Sequence, residues 1–267
     1  MPDNLFETRQ RINAAAQTRK ITRTMELIAS SRLQRGKQQL AAFAPMLHHL
    51  AYAASCLPHS YFSPLAEHCE TKALFVFAGA KGLSGAYTPT LLRFCAEYAR
   101  GAEILAVGSA AAQAYPNAHS CFGDDPPSPA FAQALLRAAQ IRYEEGEFHE
   151  VWLIYTEGYT PVAKRLFPLP EPEGMRHTPP ESVLLDPTPQ AAYAALSAAY
   201  ARALLYEAHL QAYTAEQVAR VSTMDSATQN AEEIIEQLQA EYNRIRQASI
   251  TQEIIMVSGA ANALGED

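Results

Sequence analysis

Helix breakers are almost missing from both ends of this chain of 267 residues. Between residues 4 and 56 the only glycine is Gly36, and the first proline is Pro45. From 190 to 258 there is neither glycine nor proline. Long apolar runs are missing as well: none approaches the ~18 residues needed to cross a bilayer. The opening MPDNLFETRQ has no apolar core of the kind a secretion signal carries, so none is expected. Excess positive charge is absent too. A net charge of −7 and a pI near 5.6 argue against general nucleic-acid binding. The four cysteines (Cys56, Cys69, Cys95 and Cys121) show no CxxC spacing and read as reduced and inert. The histidines, His48-His49 included, lack carboxylate or thiol neighbours at ligand spacing, so no metal and no cofactor is expected.

What is present divides into three segments. In residues 1–56, Leu5, Ile12, Ala15, Ile21, Met25, Ile28, Leu33, Leu40 and Phe43 recur at helical spacing. This predicts one long helix, capped by Asp3 or Asn4 and kinked or broken at Pro45. Residues 57–187 alternate strand-like and helical runs: KALFVFAG (72–79), EILAVGSA (103–110) and HEVWLIYTEGY (149–159) against TPTLLRFCAEYA and PAFAQALLRAAQIRYEE (129–145). That order implies βαβ units and a mainly parallel, Rossmann-like sheet, with AKRLFPLP (163–170) as a possible edge strand. GDDPPSP and PLPEPEG read as loops. In residues 188–267, Thr188-Pro189 starts a helix of ~70 residues, or ~105 Å. Its seam runs through Leu210, Tyr213, Val221, Met224, Ala231, Ile235, Leu238, Tyr242 and Ile245, interrupted at Gln217 and Thr228.

Two long helices flanking one α/β insert can pair only antiparallel. Opposite charge favours the pairing: eight basic residues face three acidic ones in 1–40, against seven acidic and three basic in 216–253. The second helix is longer by ~30 Å. Its end, SITQEIIMVSGAANAL, is left without cover from its own chain and calls for a sleeve made by other chains.

The middle segment also offers chemistry. GAKGLSG puts Gly79, Gly82 and Gly85 after a strand, yet in neither phosphate-loop order, so a tight strand-to-helix turn is preferred. Gly82-Leu83-Ser84-Gly85-Ala86 grazes a nucleophile elbow, with Asp186 and His209 following in hydrolase order. A soluble nucleotide-binding or hydrolytic α/β enzyme with a helical dimerisation arm therefore stands as the alternative reading. A coiled-coil scaffold is a third.

Two stretches carry a resemblance. RINAAAQTRKITRTMELIASSRLQRG is similar to the N-terminal pattern of the gamma subunit of F-type ATP synthases, with Arg11, Ile12, Thr18, Lys20, Ile21, Thr22, Met25, Leu27, Ala29 and Leu33 at matching positions. MDSATQNAEEIIEQLQAEYNRIRQASITQEIIMVSGAANAL resembles that family's C-terminal helix, with RQASITQEI and VSGA in register. The departures are GLSGAYT, where Ser84, Ala86 and Thr88 replace Cys, Gly and Asn, and Glu26 in place of Lys. They imply a divergent bacterial form.

The resemblance implies a non-catalytic central rotor shaft. Ion flow through the membrane sector turns a ring of c subunits and the shaft, and the shaft's asymmetry drives the catalytic sites of the alpha3-beta3 ring through their conformations. Arg246, Gln247, Thr251, Glu253, Ile254, Met256 and Val257, with Lys20, Thr22 and Met25, are the implied contacts with that ring. The α/β segment is expected against the epsilon subunit and the c-ring, at the cytoplasmic face of a bacterial inner membrane, peripheral and without a span.

Overall fold

The computed structural model describes residues 2–56, 71–79, 82–121, 126–170, 186 and 188–264. Its elements run α1 (Pro2–Ser55), β1 (Lys72–Phe77), α2 (Tyr87–Tyr98), β2 (Ala102–Val107), α3 (Ser109–Ala114), β3 (His119–Cys121), α4 (Pro129–Glu144), β4 (Glu150–Glu157), β5 (Thr160–Phe167) and α5 (Pro189–Leu264). By contacts the chain forms two units: Met1–Ile28 with Val221–Asp267, and Ala29–Arg220.

The larger unit is built on a five-stranded sheet of order β3-β2-β1-β4-β5, in which β5 alone is antiparallel. β1 lies at the centre and is apolar on both faces, as a covered parallel strand must be. Ala73, Phe75 and Phe77 join α4 and the long helices, packing with Phe148, Tyr155, Leu205 and Leu210. Leu74 and Val76 turn the other way, onto Leu91 and Cys95 of α2 and Ala111 of α3. Each large apolar side chain so buried contributes about 1.5–3 kcal/mol before entropy is counted. The strand expected at 163–170 forms, starting at Thr160 and reached through a turn with Gly158 at φ +62°. β3 was not expected: three residues are too few to show alternation.

Within this unit the stretches of α1 and α5 run antiparallel, with Gly36 beside Tyr213 and Thr214, and Phe43 edge-on to Tyr206 at 4.9 Å between ring centroids. A Cβ at Gly36 would sit 3.0 Å from Thr214 Oγ1, so the missing side chain lets the helices approach. The break expected at Pro45 does not occur, since α1 runs through it. Pro45 is exposed, and Phe43, Leu47 and Leu50 around it are packed against the core, which offsets the lost backbone bond. The caps expected at Asp3 or Asn4 are not used either, because α1 already starts at Pro2. Thr188 does cap α5, its Oγ1 accepting from Ala191 N at 3.2 Å. Of the expected loops, residues 126–128 of GDDPPSP and 168–170 of PLPEPEG carry no helix or strand, and 123–125 and 171–174 lie outside the described residues.

In the smaller unit the first part of α1 and the last part of α5 are again antiparallel. Thr22 meets Thr228, and Arg19 meets Glu232 three residues earlier against four later. Met224, Ala231, Ile235 and Leu238 are buried at the 7-4-3 spacing of a seam. The expected role of charge is small here: the Arg19–Glu232 pair is 3.9 Å long and half-exposed on both sides, a geometry worth little.

Candidate functional site

From Ile250 onward α5 loses its cover. Every residue from Ile250 to Ala260 is exposed, including Ile250 at 48%, Ile254 at 62%, Ile255 at 65%, Met256 at 60% and Val257 at 71%. Five large apolar side chains within eight positions, all in water, are not a solvated helix surface; a concentration like this marks an interaction site. Arg246 and Gln247 just before Ile250, and Glu253 just before Ile254, are exposed, and Thr251 Oγ1 donates back to Gln247 O at 2.9 Å. The apolar end thus follows a polar collar on one helix.

The N-terminal candidates separate. Lys20 is exposed and Met25 half-buried. Thr22 is buried: its hydroxyl donates to Thr228 Oγ1 at 2.8 Å, with Arg19 O a second acceptor at 3.1 Å, so it is spent within the unit. This also explains the break in the apolar seam at Thr228, whose hydroxyl in turn donates to Met224 O at 2.8 Å. Glu26 is held by Arg23, whose Nη1 donates to both carboxylate oxygens at 3.0 and 2.8 Å.

The glycine segment meets a helix. In an open α/β sheet, ligands enter at the carboxyl ends of strands where the order reverses, here between β1 and β4. That crevice is filled from within. A Cβ on Gly79 would lie 2.8 Å from Cδ and 2.9 Å from Oε1 of Glu216 on α5. Glu216 is 7% exposed and accepts from Nη2 of Arg220, itself 6% exposed. Gly108, at φ +96°, is pressed so closely on Ala78 O that no side chain fits, and Ala110 N donates to Gly79 O at 3.2 Å. Tyr87 closes the other side, donating to Ala212 O at 3.1 Å. Burial, and then the Glu216 carboxylate, push its phenol far above the usual range. The hydrolase constellation does not assemble as a surface site: His209 is buried between the rings of Phe77 and Phe131, at 5.4 and 5.5 Å, and Asp186 is exposed. Among the described residues no group of three or more histidine, cysteine or acidic side chains comes together, and no helix is long and apolar enough to cross a membrane.

The sequence matches the family model described as ATP synthase over residues 4–264. It is 31% identical to the ATP synthase gamma chain of Desulforamulus reducens, over 97% of this chain and 98% of that one. The chain belongs to the ATP synthase gamma-chain family. A second gamma chain, from Moorella thermoacetica, is 32% identical over 98% of this chain and 99% of its own length. In fold it is similar to a chain in the OSCP/F1/c-ring structure of the Euglena gracilis mitochondrial ATP synthase, with a TM-score of 0.69 at 13% identity, covering 99% of this chain and 95% of that one.

Sequence reading missed one feature of this gamma-family chain that bears on its working: the buried Glu216–Arg220 pair. The signal was there, a carboxylate and a guanidinium at i and i+4, but so placed they read as a solvated helix face. Only the approach of Gly79 shows that both are inside.

Proposed function

We propose that this chain works as the central shaft of a bacterial F-type ATP synthase, a non-catalytic part that carries rotation between two other assemblies. The uncovered apolar stretch from Ile250 to Val257 is the observation that carries this reading. It turns inside a sleeve formed by the alpha3-beta3 ring. From Ile254 to Val257 the stretch carries no charged side chain, and apolar contact without fixed charge gives no deep angular well, because buried unpaired charge is what creates one. Arg246, Gln247, Thr251 and Glu253 supply charge-assisted or neutral hydrogen bonds to the ring at particular angles. Lys20 and Met25 face moving parts of beta subunits, and Thr22 acts by fixing the helix that presents them. Residues 1–56 and 188–267 are the shaft, and residues 57–187 form the domain that meets the epsilon subunit and the c-ring. The working place is the cytoplasmic face of the inner membrane, held there by those partners. Glu216 in the crevice beside Gly79 supports the absence of a nucleotide site in this chain.

The test is native mass spectrometry of the tagged chain purified gently from its host, with ATPase activity assayed on the same sample. One copy in an active particle with the alpha3-beta3 ring is expected. A homodimer or lone monomer, from cells that make the other subunits, overturns the reading.

A further inference from the structure

We propose that the larger unit binds a small anionic amphiphile, an alkyl carboxylate of medium chain length, in a cavity between α1, α5 and the start of α4. The cavity measures about 350 Å³, at the small end of the ~300–1,000 Å³ of ligand sites. Its walls are Phe43 and Met46 of α1, Ala203 and Tyr206 of α5, and Pro129 of α4. The one charged group in the lining is Arg202. Its Nη1 donates to Gln133 Oε1 at 2.8 Å, and among the described residues no carboxylate pairs with it. A guanidinium has five N–H donors, so most remain for an incoming anion. A carboxylate can take two of them in a charge-assisted fork.

Acidic residues are absent from the segments that supply the lining. The protein carries a net charge of −7, yet residues 27–56, 126–143 and 188–206, which supply the lining, contain no Asp or Glu. They contain Arg32, Arg35, Lys37, Arg137 and Arg202, besides Arg142, which is paired with Glu103 and Glu147. Glu207, next along α5, has its pKa raised by burial, with Lys164 and Glu157 of the β4–β5 hairpin as the charges that act on it; Asp124 and Asp125 lie outside the described residues. Apolar walls ask for an alkyl chain and the lone guanidinium for an anion, so one molecule must carry both.

Full-length chain labelled with 13C at its methionine methyls is titrated with decanoate below its micelle concentration, with decanol and decylamine in parallel. Decanoate is expected to shift the Met46 methyl saturably, decylamine not at all, and decanol more weakly. Arg202→Gln should lower decanoate affinity by about tenfold or more, the loss of one hydrogen bond to a charged group, and leave decanol unchanged. Retained decanol binding and an unchanged circular dichroism spectrum show that the variant is folded. If Arg202→Gln unfolds the chain, Arg202→Lys replaces it, and weaker decanoate binding with unchanged decanol binding is again expected. Equal binding of decylamine, an unmoved Met46 methyl, or undiminished decanoate affinity in the folded variant overturns the proposal. Phosphatidylglycerol vesicles should leave Met46 unmoved; a shift with them would assign the cavity to a bilayer lipid and overturn the free carboxylate.

Discussion

Substituting Gly79 by alanine tests whether the crevice at the end of β1 is a ligand loop or a helix seat. The added methyl would stand 2.8 Å from Glu216 Cδ and 2.9 Å from Oε1, where ordinary contact begins at 3.4 Å. The carboxylate must therefore retreat by on the order of half an ångström in a filled interior. It has little freedom to do so, being buried and hydrogen-bonded to buried Arg220. Overpacking of this kind costs about 1–3 kcal/mol. Alanine also restricts the unfolded chain, which returns about 0.4–1 kcal/mol. A net loss centred on about 1.3 kcal/mol, and no more than about 2.6, is expected from these two terms. Urea unfolding followed by the fluorescence of Trp152, the sole tryptophan and a member of β4, reads the unit concerned. The same substitution is then made with Glu216→Ala and Arg220→Met, which remove the pair together. There Gly79→Ala should be neutral or mildly stabilising, giving a coupling of at least about 1 kcal/mol between the sites. A loss of the same size in both backgrounds, or no loss in the unaltered chain, would refute the seat.

Thr22→Val or Thr228→Val alone should each cost about 1 kcal/mol in urea unfolding, because a buried hydroxyl loses its partner across the helices; the double variant should cost less than the sum of the two. Removing residues from Ile250 onward should leave the isolated chain's unfolding free energy within about 0.5 kcal/mol, since the side chains from Ile250 to Ala260 are exposed. The same truncation should weaken recovery of the ATPase particle, and undiminished recovery would count against the sleeve. At acid pH, Glu103 is the group to follow. Hydrogen bonds from Arg142, with its charge, hold the Glu103 carboxyl below the usual range. A depressed folded pKa means that the ionised group stabilises above the ordinary value near ~4.3. That contribution drains away as pH falls through the lower folded value. Glu103→Gln should flatten the acid side of a plot of urea midpoint against pH; an unchanged slope would show that the ion pair contributes nothing.

Long periodic elements were readable before any coordinates: α4 starts at Pro129 as its Pro-led amphipathic pattern required, and α5 starts behind the Thr188 cap. What failed depended on packing. Pro45 is a breaker by local chemistry, yet the helix around it is held by Phe43, Leu47 and Leu50 against a core that local sequence cannot reveal. β3 is a strand because β2 offers its edge to it, not because of its own pattern. The bond between Thr22 and Thr228, 206 positions apart, was equally out of reach of any local pattern. The apolar end of α5 was legible because its large side chains cluster within a few positions of one long helix. Glu216 was not, because its partner glycine follows β1, far away in sequence.

The bare row from Ile250 to Val257 also sets a condition on manufacture. A newly made copy would display, at the end of a helix, the kind of surface that adheres to other exposed apolar surface. Surplus copies should therefore be the ones that aggregate or are degraded. A cell that makes this protein does best to supply its covering partners at the same time and in matched amount.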